Sequence, residues 1–489
     1  MSGLRQRSLE PVLRRSGLLI AMYGTAAVIA LWMSRTLPDF DYGFHLRTGQ
    51  WIVAHGSVPD AEVFSANAVS PRWVAYSWAY EVLLCALAAA FGVWAPVVLS
   101  VAMSLLIAHM IFKMVRRTSG HTALAAGLTL IGILAMASML YGRSVMFTIV
   151  FAALELHLLL RATVLEDRRA LLLVPLVFAV WANVHIQFIY GFFLYGCFLA
   201  QAWLDVLRGS PDADTAARAH SLATRMTWIG AACLLATLAN PYHVRIYDPV
   251  VRYLFQAPTI YRYLQEFGPP GLASIPTRAT LALALLVLLG SGRRLLGRPF
   301  LLLMFAVALG LAFRAGRDAW LVVVTGGAVA ATALRRPQPE ALRANRFVVA
   351  TGTACVIAVA VLAMDISADT LRANLRRRFP VDAADFIESR NLPGPMYNDF
   401  NWGGYLMWRL PQHRVAMDGR THVYSTESIL RSVRVWNAEV GWNHDPELAA
   451  AGFVVASREM PLTRSLKKDP RFHLAYEDAV SAIFVRDGS

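Results

Sequence analysis

The sequence has few charged residues and few cysteines. Only 16% of its 489 residues are Asp, Glu, Lys or Arg, whereas an ordinary soluble domain has about 25%. The four cysteines all lie in apolar segments, at Cys85, Cys197, Cys233 and Cys355. Neither a disulfide framework nor a cysteine-based metal site is therefore expected. The sequence also lacks an internal repeat and a low-complexity tract.

Hydrophobic residues are correspondingly abundant. They make up 57% of the chain, and the mean hydropathy is +0.47. They occur in runs of roughly 17 to 22 residues, which as helices cross about 30 Å of hydrocarbon. The first run, from Gly17 to Met33, follows four arginines and precedes no small-residue cleavage site. It is therefore expected to stay as a first transmembrane helix, and the chain to be a polytopic helical membrane protein.

The positions of the basic residues predict the topology, because Lys and Arg concentrate in cytoplasmic loops. The N-terminal arginines put the N-terminus in the cytoplasm and residues 34–77 outside. Segment 77–92 is short and carries Glu81, and is interpreted as an interfacial or re-entrant helix. Ten more spans are predicted, which makes about eleven in total. An odd number of spans puts the C-terminus outside. The ten spans lie near 95–112, 122–141, 144–160, 170–185, 188–204, 226–239, 279–291, 299–313, 319–334 and 347–364. Residues 209–221 are predicted to be a cytoplasmic linker.

The net charge of +14 would also suit a nucleic-acid-binding protein. Here the basic residues separate apolar helices instead of forming one stripe. We therefore expect membrane lipids, and no nucleic acid, as partners of these charges.

The composition becomes polar from about residue 365. This predicts a transmembrane domain over 1–364, with a catalytic first outer loop at 34–77, and a C-terminal extracytoplasmic domain over 365–489. Helical patterns at 381–392 and 425–438, and a turn and helix at 401–410, alternate with strand patterns at 394–400, 413–420, 450–457 and 480–487. Such alternation predicts a small α/β domain with a largely parallel sheet.

Polar and ionisable side chains concentrate on the outer side of this topology. Arginines on the outer side are unexpected, because basic residues concentrate in cytoplasmic loops. Their planar guanidinium groups can donate two hydrogen bonds to one phosphate, which favours an anionic ligand. A structural role remains an alternative for each candidate. The arginines could extend to lipid headgroups, the Asn and His side chains could form hydrogen bonds between helices, and the polar residues of the tail could belong to turns. The candidates are Asp39, Asp41, His45 and Arg47 in the first loop, Arg143, Arg314 and Arg317 at helix ends, His185, Asn240, His243 and Arg245 near other outer turns, and Asp399, Asn401, Trp402, Asp418 and Arg420 in the tail.

Three motifs carry a family resemblance. DFDYGFHLRTG at 39–49 resembles the acidic first-loop signature of the GT-C superfamily, membrane glycosyltransferases that use polyprenyl-phosphate sugars. Together with NWGGYL at 401–406 and DGR at 418–420, it resembles a bacterial group of polytopic proteins along nearly the whole chain. The tail lacks the W-W-D-Y-G motif of oligosaccharyltransferases, which leaves the acceptor open.

The resemblance implies a GT-C-like fold and transfer of a sugar from a polyprenyl-phosphate donor to a glycan, lipid or protein, at a bacterial inner membrane with the tail in the periplasm. Asp39, Asp41 and His45 would be catalytic, and the two aspartates could hold Mg or Mn. The four arginines at 47, 143, 314 and 317 would bind the donor phosphate, and the remaining candidates the substrates. A transporter or a non-enzymatic envelope-polymer assembly or binding protein are the alternatives; a transporter usually shows repeats and ionisable groups near the membrane midplane.

Overall fold

The computed structural model describes residues 2–36, 39–68, 72–260, 268–336 and 344–488. In these ranges the chain is mainly helical, with one small sheet. The helices are α1 (Ser2–Thr36), α2 (Tyr42–His55), α3 (Trp78–Phe91), α4 (Ala95–Ser119), α5 (Thr122–Ala135), α6 (Val145–Thr163), α7 (Val174–Val184), α8 (Phe188–Arg208), α9 (Ala213–Ala236), α10 (Asp248–Ile260), α11 (Ile275–Ser291), α12 (Pro299–Arg314), α13 (Ala319–Ala333), α14 (Arg346–Ala363), α15 (Ala368–Arg378), α16 (Val381–Arg390), α17 (Gly403–Arg409), α18 (Thr426–Trp436), α19 (Pro446–Ala450) and α20 (Pro461–Leu466). The strands are β1 (Met396–Asn398), β2 (Phe453–Ser457), β3 (Phe472–Glu477) and β4 (Ser481–Arg486).

Each predicted span falls on a helix, and the protein is a polytopic helical membrane protein. By length and composition, 6 helical segments of the described residues are long and apolar enough to cross a membrane: Pro11–Arg35, Trp78–Ser119, Val145–Thr163, Phe188–Arg208, Ile275–Arg294 and Arg346–Ala363. Helices α5 and α12 are shorter apolar helices. The segment predicted to be interfacial is α3, which continues into α4 through a short 3-10 turn.

One compact unit comprises residues 1–34, 96–244 and 265–365. Its α13 is buried at every position from 319 to 331 and contacts α5, α6, α11 and α12. A helix that is apolar on all sides needs such neighbours on all sides. The predicted linker at 209–221 is largely wrong, because α9 begins at Ala213, where the Asp212 side chain accepts a hydrogen bond from the Thr215 N–H.

The other compact unit comprises residues 35–95, 245–264 and 366–489. It contains α2, α3, α10, α15 to α20 and the sheet. The predicted first outer loop, which the sequence analysis placed with the transmembrane domain, groups with the C-terminal segment. We refer to this part as the loop–tail unit. Its C-terminal core includes Tyr397, Trp436, Val454 and Phe484.

The sheet has the strand order β1-β2-β4-β3. Only β1 and β2 are parallel, whereas β2 pairs with β4 and β4 with β3 in antiparallel fashion. The prediction of a largely parallel sheet is therefore wrong, because β3, which was not predicted, forms an antiparallel ladder with β4.

The predicted strand at 413–420 is also wrong. Val415 makes one isolated bridge, with Ser65 of the first loop. The Asn398 side chain takes the place of a strand ladder: its Oδ1 accepts from the Ala416 N–H at 2.8 Å, and its Nδ2 donates to the Met417 carbonyl at 2.8 Å. Because these backbone groups are already bonded to a side chain, they do not pair with a neighbouring strand.

Candidate active site in the loop–tail unit

Asp39 and Asp41 lie side by side at the start of α2. Asp41 is the residue before the helix, and its carbonyl accepts from the His45 N–H at 3.2 Å. The Asp41 N–H donates to Asp39 Oδ1, also at 3.2 Å. Both aspartates are half-buried. The local turn therefore places the Asp39 carboxylate against the backbone of Asp41, at the start of α2.

Glycines in the tail let this loop come close. A Cβ on Gly43 of α2 would lie 2.3 Å from the carbonyl oxygen of Gly404, at the start of α17. A Cβ on Gly419 would lie 2.2 Å from Asp41 Oδ1. Real Cβ atoms do not approach so closely, so any side chain at these positions would force a shift. The tail motifs NWGGY and DGR are thus the surface against which the DFD loop packs.

Replacement of Gly419 by alanine should therefore displace the Asp41 carboxylate. We expect a loss of glycosyl-transfer activity of at least about tenfold if Asp41 is the base, since a positioned base contributes 10²–10⁴-fold, together with a modest loss of stability. Transfer assays and thermal unfolding of the purified chain would measure both. Gly271→Ala is the matched control, because its Cβ would meet open space; wild-type activity in Gly419→Ala would contradict the contact.

His45 is held by a carboxylate that the sequence analysis did not select. Its Nδ1 lies 3.0 Å from Glu81 Oε1 of α3, with the His45 and Glu81 side chains only 8% and 2% exposed. A carboxylate oxygen accepts, so the ring proton is assigned to Nδ1. Glu81 Oε2 has no hydrogen-bond partner among the described residues. The missed signal was an acidic residue inside an apolar run, which is costly without a purpose.

Arg420 of the DGR motif binds two carboxylates. It donates to Asp418 through Nε and one terminal nitrogen, both at 2.8 Å, and to the two oxygens of Glu62 at 2.7 and 3.1 Å. Its guanidinium also lies 4.6 Å from the centre of the Trp73 ring. Arg420, Asp418 and Glu62 are almost fully buried, at 2% exposure or less. This cluster joins the first loop to the tail, which supports a structural role for Asp418 and Arg420.

The tail and α10 share a second polar network. The Tyr76 and Tyr253 hydroxyls lie 3.1 Å apart, and the Tyr253 hydroxyl lies 3.1 Å from His422 Nδ1. Burial, assisted by Arg420 and Arg252, lowers the pKa of His422 to about 3. Burial raises the pKa of Tyr76 well above its usual value, and Tyr253, Asp41 and Glu81 raise it further. The network is therefore neutral at physiological pH and interacts electrostatically with Asp41 of the first loop and Glu81 of α3.

The other predicted tail residues have local roles. Asp399 accepts from the Asn401 N–H at 2.9 Å, and burial raises the pKa of its carboxyl to about 6. Trp402 is buried and donates from Nε1 to the Arg378 carbonyl at 3.0 Å. The Asn401 side chain is exposed. In this arrangement Asp399 begins a 3-10 turn that leads into α17.

Two predicted basic residues belong to the loop–tail unit. Arg47 lies on α2 with its guanidinium 5.9 Å from the Phe64 ring centre, and its Nε has no hydrogen-bond partner among the described residues. Burial lowers the pKa of Arg47. Arg245 is paired with Asp60 of the first loop at 2.5 Å.

The remaining predicted residues lie in the first compact unit. His185 Nδ1 is hydrogen-bonded to the Thr148 hydroxyl at 2.8 Å, and Asn240 bonds the backbone of its own turn at Thr237, Tyr242 and His243. Arg143 precedes α6 and packs on the Tyr141 ring. Arg314 and Arg317 interact electrostatically with the buried Asp318 carboxyl. Binding of a donor phosphate by these arginines stays a prediction.

A divalent metal would find two carboxylates at the start of α2. No group of three or more His, Cys, Asp or Glu side chains with metal-binding geometry occurs in the described part of the chain. Mg²⁺ commonly uses one or two carboxylates and takes its other ligands from substrate phosphates and water. Asp39 and Asp41 fit that pattern, since both are half-buried and the Asp39 carboxylate accepts the Asp41 N–H.

A solved structure shares this fold. The crystal structure of the Archaeoglobus fulgidus oligosaccharyltransferase in the apo form aligns with 90% of this chain and 69% of that chain, at a TM-score of 0.54 and 10% sequence identity. ArnT from Cupriavidus metallidurans, bound to undecaprenyl phosphate, aligns over 96% of this chain and 98% of that chain, at a TM-score of 0.41 and 14% identity. By sequence, no protein-family model and no curated protein matches the chain.

Proposed function

We propose that this chain, which has the GT-C fold, is a membrane glycosyltransferase that moves a sugar from a polyprenyl-phosphate donor to an extracytoplasmic acceptor. The observation that carries the proposal is the Asp39–Asp41 pair at the start of α2, packed against Gly419 of the tail in the loop–tail unit. In a membrane protein with this fold, the two carboxylates of the first loop would supply the acid–base group that acts on the acceptor at the membrane surface.

In the proposed reaction Asp41 accepts the proton of the acceptor hydroxyl. The acceptor oxygen forms a bond to the anomeric carbon of the sugar as the bond between that carbon and the phosphate oxygen breaks. The polyprenyl phosphate leaves with the bonding electrons. Cations near the departing phosphate would stabilise its charge, and such stabilisation is often the largest catalytic contribution. Arg47 is the candidate within the loop–tail unit, and Arg143, Arg314 and Arg317 are the predicted candidates elsewhere.

Neighbouring carboxylates orient two of the proposed catalytic groups, Asp41 and His45. Asp39 accepts the Asp41 N–H and so orients the base. The Glu81 carboxylate fixes the tautomer of His45, in the way that an aspartate orients histidine in hydrolase triads. If a divalent cation is used, Asp39 and Asp41 would hold it and it would neutralise donor phosphate charge. His185, Asn240, His243, Arg245 and Asn401 remain candidates for substrate binding, whereas the buried contacts of Asp399, Trp402, Asp418 and Arg420 favour a supporting role for those four.

The test of the proposal is sugar transfer by the purified chain. The protein, in lipid nanodiscs, would be incubated with a polyprenyl phosphate that carries a radiolabelled sugar and with a cell-envelope extract as acceptor, with and without Mg²⁺ or Mn²⁺. We expect the label to move from the lipid fraction into a glycan, lipid or protein fraction. Binding of the donor without any turnover would favour an envelope-polymer assembly or binding protein instead.

We further propose that the protein lies in a bacterial inner membrane with its N-terminus in the cytoplasm and the loop–tail unit in the periplasm. Val440 is fully exposed, so a Val440→Cys variant in a cysteine-free background should react with an impermeant thiol reagent in cells with a permeable outer membrane. A cysteine at Ala216, in α9, is the matched probe for the cytoplasmic side and should be protected. Labelling at 216 with protection at 440 would invert the topology.

A further inference from the structure

Helix α10 has an apolar face that the described residues leave uncovered. Val251, Leu254 and Phe255 are 50%, 70% and 81% exposed. Their spacing of i, i+3 and i+4 puts them on one side of the helix. Three large apolar side chains exposed together on one helix usually mark a binding surface.

The opposite side of α10 faces the candidate active site. Tyr253 lies about half a turn away from the apolar face, given 3.6 residues per turn, and hydrogen-bonds Tyr76 and His422. α10 also contacts α18 and the 3-10 turn Thr421–Val423 of the tail. One side of the helix is therefore fixed to the loop–tail unit, and the other is free for a partner.

We infer that the membrane itself covers this face, with α10 lying in the interfacial layer and Val251, Leu254 and Phe255 inserted among the lipids. The composition of the helix supports lipid as the partner. Arg252 is exposed beside the apolar face, and one of its terminal nitrogens donates to the His422 carbonyl at 3.4 Å. A guanidinium has five N–H donors, so others can meet lipid phosphates, as flanking Lys or Arg do on helices that lie in the membrane surface. The next long helix described, α11, belongs to one of the segments able to cross the membrane.

The consequence of this placement is a link between lipid contact and site geometry. Insertion of the apolar face would fix the rotation of α10 about its axis. Tyr253, on the other side, would then be held toward His422 and Tyr76. The bilayer would thus act as a third support of this network, beside the first loop and the tail.

Depth measurements on the full chain test the placement. A nitroxide spin label would be attached at Phe255→Cys in a cysteine-free background, in nanodiscs of phosphatidylcholine with phosphatidylglycerol. We expect collisions with oxygen to exceed those with a water-soluble nickel complex, at a depth of about 5–10 Å below the phosphate level. The same label at Val440→Cys, on an exposed turn of the same unit, should show the reverse.

Three outcomes would overturn the inference. A label at 255 as accessible to the nickel complex as the label at 440 would place α10 in water. Dipolar broadening between labels at 255 would show a second copy of the chain on this face. An immobilised label shielded from both oxygen and nickel would mean that protein covers it.

Hydrogen exchange tests whether the lipid contact holds the helix. In a Leu254→Gln/Phe255→Gln variant in the same nanodiscs, amide exchange across 248–255 should rise at least about tenfold, because burial of such side chains is strongly stabilising. Exchange in α18 should be unchanged, and Val440→Gln should behave like the wild type. Unchanged exchange across 248–255 in the double variant would contradict the inference. Neither measurement depends on glycosyl transfer, so the inference can fail while the proposed function stands.

Discussion

Asp41→Asn is expected to lose about 10²–10⁴-fold in glycosyl-transfer rate while the protein stays folded and inserted. Asparagine has the shape of aspartate, so the contact with Gly419 and the start of α2 are preserved. It cannot take up the proton of the acceptor hydroxyl, which is the role that we propose for this carboxylate. The rate would be measured as initial transfer of labelled sugar at saturating donor, and folding by thermal unfolding of the purified variant.

Asp39→Asn is the companion variant. Asparagine keeps an oxygen that accepts the Asp41 N–H but loses the negative charge, so transfer should also be abolished or sharply reduced, through the lost charge beside the base or a lost metal ligand. Glu427→Gln, at an exposed position of α18, removes one carboxylate elsewhere in the unit and should leave the rate unchanged. If Asp41→Asn and Asp39→Asn both kept the wild-type rate, the catalytic assignment of the first loop would be wrong.

Arg420→Ala is expected to destabilise the loop–tail unit by about 3–5 kcal/mol, the usual cost of breaking a buried ion pair. The substitution leaves Asp418 and Glu62 buried without their cation. For a unit of this size such a loss lowers the unfolding midpoint by about 10 °C, which intrinsic tryptophan fluorescence would follow. Arg420→Lys should rescue little, since an ammonium group cannot bind two carboxylates in a fork.

The control for this prediction is a solvent-exposed ion pair in the same unit. Arg458 lies 3.3 Å from Glu477 and is half-exposed, so Arg458→Ala should cost well under about 1 kcal/mol. A double-mutant cycle with Glu62→Gln and Arg420→Gln would isolate the contact between loop and tail. A coupling energy near zero would mean that Arg420 and Glu62 do not interact in the folded protein.

The sequence predicted the parts of the fold that depend on hydrophobic runs. All the predicted spans fall on helices, because a run long enough for hydrocarbon is a strong local signal. Helices α16 and α18 and strands β1, β2 and β4 also lie within their predicted segments. Segment 413–420 was misread as a strand because its alternating pattern is local, whereas its actual partners, Asn398 and Ser65, are distant in sequence.

The candidate site was only partly accessible from sequence. The DFD, NWGGY and DGR motifs were selected, but nothing local indicates that Gly43 packs on Gly404 or Gly419 on Asp41. Glu62, Glu81, Tyr253 and His422 were not selected, since each acquires its partner from a remote segment. Pairings over such separations depend on the tertiary fold, which residue type and spacing do not encode directly.

The loop–tail unit is built from three segments separated by membrane helices, and this has a consequence for biosynthesis. The partners of Glu62 and Phe64 in the tail, Arg420 and Val415, are made only when the ribosome nears the end of the chain. Protein synthesis proceeds at about 5–20 residues per second. Some tens of seconds therefore pass between the synthesis of the first loop and the synthesis of its partners in the tail. During that interval its acidic and aromatic side chains lack the tail that buries them. Premature termination before residue 419 would therefore leave Asp41 without its contact to Gly419 and Glu62 without Arg420, even if every membrane helix had been inserted.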